Sequence, residues 1–373
     1  MYNHPMKKIL ICGGHPTPAL ATIDELKKNH ADVSLVFVGR KYAIESERTL
    51  SYEYKGCVER RIPFRELQAG RVTRLITKSS MLNMLRVPYG FFQALLVLFQ
   101  ESPDCIISFG GYIALPLAFW AWVFKKPVYT HEQTMKPGAA NKLIGFFSKK
   151  IFVAFESVLY YFPINKTEWI GNPVREIVFE HNVLSFPIDT SVPVLYITGG
   201  SLGSHSINEH IFSILDKLLP TFTIIHQTGD VKEYGDLDVA QKLKRQFQKV
   251  YPNRYIPLAY ISDNDIGSVY KHAEFLIGRS GANTFFELIA LQKPALFIPL
   301  PWSANGEQKA HAEFFKEHHI GEIFDQKKES DLLLSAIHAF HKQARNYTKA
   351  FSSLPLQLKH DATQTLVQKI FNK

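Results

Sequence analysis

Short apolar runs, each ending in a polar or glycine-bearing loop and followed by a helical stretch, recur at residues 8–12, 35–38, 105–109, 128–130 and 151–153. Strands alternating with helices in this way predict a parallel sheet covered on both faces. The pattern weakens over 171–193, where Pro173, Pro187 and Pro193 interrupt it. A second set of runs follows at 194–198, 222–226, 275–277 and 295–298. The pattern predicts an α/β protein of two doubly wound, Rossmann-like domains. The N-terminal domain spans 1–175, a linker 176–193 and the C-terminal domain 194–350, with a closing helix within 351–373. In such folds ligands sit at the carboxyl ends of the strands, so the active site is expected in a cleft faced by both sheets.

Residues 105–124 carry no charge over a length that can span a bilayer. Gly110 and Gly111 break the run, Pro116 follows, and Lys125 and Lys126 close it, so it reads as strand, glycine turn and buried helix. At the start of the chain only four apolar residues separate Lys8 from Gly13, too few for a signal-peptide core. Cys12, Cys57 and Cys105 lie far apart with no CxxC pair, which fits a reducing compartment and argues against a disulfide framework or a zinc site.

Composition narrows the function classes. With 46% apolar residues, 28 Phe and 16 Tyr, the 373-residue chain is far too hydrophobic to be disordered. Its net charge of +9 calls for an anionic partner: nucleic acid, anionic lipid or a phosphorylated substrate.

Three loops between a strand and a helix carry the candidate chemistry. The first contains Gly13, Gly14 and His15; its glycines let backbone amides approach an anion, and a histidine at its crest can take a proton from a hydroxyl or simply bond its own loop. GxGxxG is absent and the second strand ends in Gly39 and Arg40 where a ribose-binding acid belongs, which disfavours a nicotinamide enzyme. The second loop, GGSLGS at 199–204, offers a diphosphate Gly200, Ser201 and Gly203 beside a helix N-terminus. It lacks the Lys-Ser/Thr ending of an ATPase P-loop. The third runs from Gly278 through Ala282, Asn283 and Thr284 to Glu287. That carboxylate can accept both hydroxyls of a ribose, although Thr284 to Glu287 also spells a helix capping box. Further on, Glu307 and Gln308 suit sugar hydroxyls, or are ordinary first-turn helix residues. His131-Glu132 is not HExxH because Met135 stands at the second histidine position, and Asp263-Asn264-Asp265 fits DxD only as a short chance string. No metal site is expected.

Basic residues concentrate over 55–86, where Lys55, Arg60, Arg61, Arg65, Arg71, Arg74, Lys78 and Arg86 are set against Glu59 and Glu66. Leu75, Ile76, Met81, Leu82, Leu85 and, further on, Phe91 and Phe92 are interleaved with them or lie just beyond. Basic residues around an apolar patch suit an anionic membrane surface; a solvated loop beside a buried helix is the plainer alternative.

Taken together, the loops resemble the MurG family of peptidoglycan N-acetylglucosaminyltransferases, which has the GT-B fold. The resemblance runs from the first glycine loop to about Asp325. It rests on His15 and Pro18, on Ser108 to Tyr112 (SFGGY), on His131, Glu132 and Gln133 followed by Thr134 and Asn141, on GNPVR at 171–175, on GGSLGS, and on the segment from Arg279 to Glu287. Three features depart from the family pattern: its first loop is usually GGTGGH, asparagine commonly stands where Thr134 is, and Gln or His precedes the position of Gln308.

The resemblance implies inverting transfer of N-acetylglucosamine from UDP-N-acetylglucosamine to the muramyl 4-hydroxyl of lipid I, giving lipid II and UDP. Under it, His15 is the candidate base. Ser201 binds diphosphate, Arg175 the donor's phosphate side, the Ile261 backbone uracil, Glu287 ribose and Gln308 the donor sugar. Gly13, Gly14, Tyr112, His131, Glu132, Gln133, Thr134 and Asn141 lie on the acceptor side. No essential metal or other cofactor is implied. The expected partners are a UDP-sugar, an undecaprenyl-linked acceptor and an anionic membrane surface, not nucleic acid, with the protein peripheral at the cytoplasmic face of the membrane. A transferase with another lipid-linked or soluble acceptor, a UDP-N-acetylglucosamine epimerase of the same architecture, and an inactive binding protein are the alternatives.

Overall fold

The computed structural model describes residues 8–44, 48–69, 78–303, 306–354 and 362–371; for 43, 44, 49 and 78–86 it describes the backbone. The chain divides into two compact units, Met1–Arg175 with Gln357–Lys373, and Glu176–Leu356.

In the first unit, β1 (Lys8–Gly13), α1 (Pro16–Asn29) and β2 (Ser34–Gly39) are followed by an antiparallel hairpin of β3 (Tyr42–Ile44) and β4 (Thr49–Leu50), then by α2 (Tyr52–Glu59) and β5 (Phe64–Glu66). Then come α3 (Lys78–Glu101), β6 (Cys105–Phe109), α4 (Ala114–Val123), β7 (Val128–Glu132), α5 (Ala139–Phe147), β8 (Lys150–Val153) and β9 (Thr167–Trp169). The described strands form a seven-stranded sheet in the order β5-β2-β1-β6-β7-β8-β9, with parallel pairing throughout. Alternate side chains of a strand point to opposite faces. Ile9 and Ile11 therefore join one buried cluster with Leu20 and Ile23 of α1, while Leu10 and Cys12 join another with Leu117 and Ala121 of α4. Two covered faces explain why these strands read as continuous apolar runs.

The second unit repeats the plan with β10 (Val194–Thr198), α6 (His205–Leu218), β11 (Thr223–Gln227), α7 (Asp236–Phe247), β12 (Tyr255–Leu258) and α8 (Asp263–His272). It continues with β13 (Ala273–Gly278), α9 (Ala282–Ala290), β14 (Ala295–Phe297), α10 (Glu307–Glu317), β15 (Gly321–Ile323) and α11 (Ser330–Ala350). Its described strands form a parallel sheet in the order β12-β11-β10-β13-β14-β15. Leu195, Ile197, Phe275 and Ile277 bury one face under Ile211 and Leu215 of α6 and Ile337 and Phe340 of α11. In both sheets the first strand of the unit is central and the strand order reverses beside it, between β1 and β6 and between β10 and β13, which opens a crevice at the carboxyl ends.

Three segments that the sequence left open are placed by the structure. Residues 176–193 do not form a free linker. The 3-10 turn Glu176–Phe179 packs on α8, whose Gly267 lets the Glu180 carbonyl approach so closely that a Cβ would sit 2.0 Å from it. Ser185 adds two bonds of 2.8 Å to Asp265. The closing helix, α12 (Ala362–Phe371), belongs to the first unit: Leu366 and Val367 are buried in the cluster of Ile9, Leu20 and Ile23, and His30 stacks on Phe371 at 4.1 Å. Third, the basic stretch is partly neutralised at long range, since Arg60 bonds Asp24 at 2.7 and 2.9 Å and Arg65 bonds Glu101 at 2.6 Å. The segment 105–124 folds as strand, glycine turn and helix, and among the described residues no helix is long and apolar enough to cross a membrane.

Leu366→Ala should destabilise the protein by about 2–5 kcal/mol, the usual cost of emptying a fully buried leucine site. Urea unfolding checks this; an unchanged midpoint would mean that α12 is not part of the first unit's core.

Candidate active site

The first unit's crevice is built by backbone. At Gly13 (φ +144°) a Cβ would lie 2.6 Å from the Phe109 carbonyl carbon, so only glycine lets the loop after β1 lie against the loop after β6. The Gly14 N–H then donates to Gly110 O at 2.9 Å. Behind this pair, Gly111 N–H donates to Asn141 Oδ1 at 2.7 Å, and Asn141 Nδ2 donates to Glu132 Oε2. The other oxygen of Glu132 accepts from the Thr134 backbone N–H at 2.8 Å and its hydroxyl at 2.7 Å. Glu132 and Asn141 are buried and fully engaged in shaping the loops.

His15 caps α1 by position but makes no side-chain cap bond. It meets Gln133 instead, with Nδ1 accepting from Nε2 at 2.5 Å. Burial lowers the His15 pKa and the neighbouring Glu132 carboxylate opposes the shift. His131 is buried, donates from Nε2 to Gly171 O at 2.9 Å and is held neutral by burial, with a pKa lowered to about 4. Tyr112 lies beside Arg40, whose guanidinium carbon is 5.9 Å from the ring centre. Arg175 also belongs to the first unit, donating to the Tyr52 hydroxyl at 2.6 Å.

In the second unit, GGSLGS turns sharply after β10. A Cβ on Gly203 (φ +76°) would lie 1.9 Å from Thr228 O, and Gly203 N–H donates to Gly200 O at 3.0 Å. Thr198 Oγ1 accepts from Gly200 N–H at 3.0 Å and Gln227 Nε2 donates to Gly200 O at 2.9 Å, which fixes the loop from below. Ser201 is exposed at its tip. Ser204, the N-cap residue of α6, makes no side-chain cap bond to the helix. Glu287 is buried and accepts from the Tyr270 hydroxyl at 2.8 Å. The expected capping box does not form: α9 starts after Gly281, which leaves Ala282, Asn283 and Thr284 inside its first turn. Ile261 is buried just before Ser262, the N-cap of α8. Glu307 and Gln308 open α10 as first-turn residues, and Gln308 Oε1 accepts from Leu300 N–H at 2.9 Å.

Residues 12–153 match the glycosyltransferase family 28 N-terminal domain and residues 194–366 its C-terminal domain. A relative from Bacillus cereus, named a UDP-N-acetylglucosamine--N-acetylmuramyl-(pentapeptide) pyrophosphoryl-undecaprenol N-acetylglucosamine transferase, is 30% identical over 98% of this chain and 99% of its own length. The chain belongs to glycosyltransferase family 28. Among solved structures, MurG of Acinetobacter baumannii is similar in fold at a TM-score of 0.67 and 22% identity, covering 98% of this chain and all of its own. A UDP-N-acetylglucosamine 2-epimerase from Neisseria meningitidis is similar at 0.64 and 14% identity, covering 99% of this chain and all of its own. The GT-B architecture expected from the sequence is therefore shown.

Within this family 28 glycosyltransferase, the structure brings His15, Gln133, Glu132, Asn141 and the Gly13–Gly14 turn together at one switch point, and the GGSLGS loop to the other. Of the expected membrane patch, Arg71, Arg74, Leu75 and Ile76 lie outside the described residues, as do the side chains of Lys78, Met81, Leu82 and Leu85. The sequence gives no sign of Tyr270 behind Glu287 or of Gln227 beneath the GGSLGS loop, and it places Arg279 in the third loop without a role of its own. Tyr270 and Gln227 lie on separate elements from the groups they hold, and no local pattern marks them.

The unfolded chain takes up protons on histidine near pH 6.5, whereas folded His131 refuses one until about pH 4. Stability should therefore fall as pH drops through that window, by roughly 3 kcal/mol for one such group. Buried His226 and His311, lowered to about 3 and about 4, add slopes of the same sign. Urea midpoints between pH 7 and 4.5 should decline, and less steeply in His131→Gln; identical slopes in the two proteins would contradict the assignment.

Proposed function

We propose that this protein transfers N-acetylglucosamine from UDP-N-acetylglucosamine to the 4-hydroxyl of the muramyl sugar of lipid I, giving lipid II and UDP. The observation carrying this reading is the near full-length match to a transferase named for that donor sugar and an undecaprenyl-linked acceptor. The geometry supports it with two crevices of different chemistry, one holding a histidine and one a phosphate-type glycine loop.

In this reading the acceptor oxygen attacks the anomeric carbon, the bond to UDP breaks with inversion, and His15 takes the hydroxyl proton. The Gln133 amide sets which ring nitrogen does so. Its Oε1 is buried without a partner while Nε2 donates to Nδ1. Turned over, Oε1 accepts from Nδ1–H and leaves the His15 Nε2 lone pair for the acceptor. Loop amides and helix ends at Gly200, Ser201 and Gly203, and no metal or other cofactor, stabilise the departing UDP. Glu287 and the Ile261 backbone serve the nucleoside, Gln308 and Glu307 the sugar, and Arg175 the phosphate side.

The protein works as a peripheral protein at the cytoplasmic face of the membrane. Supporting this, the first unit exposes Phe99 on α3, Trp122 and Phe124 at the end of α4, and Phe146 on α5, linked by ring contacts of 5.3 Å (Phe99 to Phe124) and 6.4 Å (Trp122 to Phe146). Lys125, Lys126 and Lys142 lie close to them in sequence. An aromatic patch flanked by cations suits anionic lipid, where each Lys or Arg contributes about 1 kcal/mol.

Incubation with UDP-N-acetylglucosamine, with and without lipid I, followed by mass spectrometry, tests the reaction. Lipid II supports it, and free N-acetylmannosamine selects an epimerase instead. His15→Ala should lower turnover by about 10²- to 10⁴-fold with little change in UDP affinity. Glu287→Ala should weaken UDP binding by roughly 1.5–3 kcal/mol, the range for hydrogen bonds to a charged group; calorimetry showing unaltered affinity in folded protein removes Glu287 from ribose recognition. Sedimentation with anionic liposomes should weaken with salt, on replacing Arg71, Arg74 and Lys78 by Glu, and in the double variant Trp122→Ala, Phe146→Ala.

A further inference from the structure

Arg279 follows β13 directly at the second unit's switch point, where its backbone N–H donates to Thr198 O at the end of β10 (3.3 Å). The residue is only 7% exposed. Nη1 donates to Ile298 O at 2.8 Å, while Nη2 lies 2.8 Å from Ser204 Oγ, 2.9 Å from Ser206 Oγ and 2.8 Å from Gln326 Oε1. Every one of these partners is neutral, and among the described residues no carboxylate pairs with the guanidinium. Nη2 has two hydrogens for three oxygens, and the Ser206 hydroxyl also donates to Gln326 Oε1 at 3.1 Å, so the cluster is polar throughout but carries no negative charge.

A buried cation without a counter-ion is costly, and a protein's own interior normally supplies the anion. Here the positive group lies at the foot of the glycine loop. Ser204 is the N-cap of α6, yet its hydroxyl accepts from Arg279 and makes no cap bond to the helix. Its own proton can still donate, with Ser206 Oγ 3.3 Å away, and the hydroxyl stands at the amino end of α6.

We propose that Arg279 is a positioning residue for the diphosphate of the donor: its buried charge, passed on through the Ser204 hydroxyl and the start of α6, makes this crevice prefer a nucleoside diphosphate to the bare nucleoside. The inference rests on the donor-site reading above and deepens it. The charge, and not merely the hydrogen bonds, is what the diphosphate answers.

The test compares binding of UDP, by calorimetry, and of uridine, by NMR titration, to the full-length protein and its R279Q and R279K variants. R279Q should lose UDP affinity by about 10- to 100-fold, as expected for a charge-assisted contact, with uridine affinity within about threefold of wild type. R279K, which keeps the charge, should restore most of the UDP affinity. Equal losses for UDP and uridine in R279Q make Arg279 a structural pillar and overturn the inference, as does unchanged UDP affinity. Should R279Q fail to fold, Ser204→Ala decides: a loss of about three- to tenfold for UDP alone supports the relay, and no selective loss overturns it. Wild-type protein that does not bind UDP overturns the donor-site reading itself, and this proposal with it, a result distinct from any variant's.

Discussion

The close approach of two loop backbones at the carboxyl end of each central strand is the constraint on which everything else here depends. Gly13 lies against the Phe109 backbone and Gly203 against the Thr228 carbonyl, at separations that leave no room for a Cβ. Parallel sheets whose strand order reverses beside the central strand open a crevice there. The glycines decide what lines it: backbone N–H groups and helix N-termini in place of side chains. His15 and Arg279 stand where they do because each is among the first residues after such a strand.

The two crevices solve their electrostatics in opposite ways. In the first unit a buried carboxylate, Glu132, is satisfied by Asn141 and Thr134 and lies near His15, where it opposes the loss of proton affinity that burial brings. In the second, the partners of a buried guanidinium among the described residues are neutral, and burial lowers it to about 10, still protonated at neutral pH. Under the proposed function, the first site receives a proton and the second negative charge. Those are the two demands of sugar transfer from a nucleotide to a hydroxyl, since a proton leaves the acceptor as charge builds on the departing diphosphate.

Polar groups buried behind the loops hold these arrangements in place. Asn141 ties Gly111 to Glu132, Gln227 ties Gly200 to the sheet, and Tyr270 holds Glu287. Each belongs to a different element from the group it fixes, so the loops gain rigidity from contacts across the fold and not from their own sequence. Preorganised donors of this kind need not reorient when charge develops, which is where catalytic electrostatics gains its strength.

The sequence by itself determined the α/β class, the two parallel sheets, the loops that bear chemistry, and the residues His15, Ser201 and Glu287 as candidates, because apolar period and glycine placement are local properties of the chain. It also separated 105–124 into strand, turn and helix, since Gly110, Gly111 and Pro116 break the run wherever it lies in space. Only the tertiary structure decided that α12 completes the first unit and that 176–193 packs on α8. It likewise decided that Arg60 and Arg65 are already paired, that α9 starts after Gly281 and not at Thr284, and that, among the described residues, no acid pairs with the buried Arg279. Each of these depends on partners distant in sequence, and a pairing of that kind leaves no periodic trace; packing and burial alone select it.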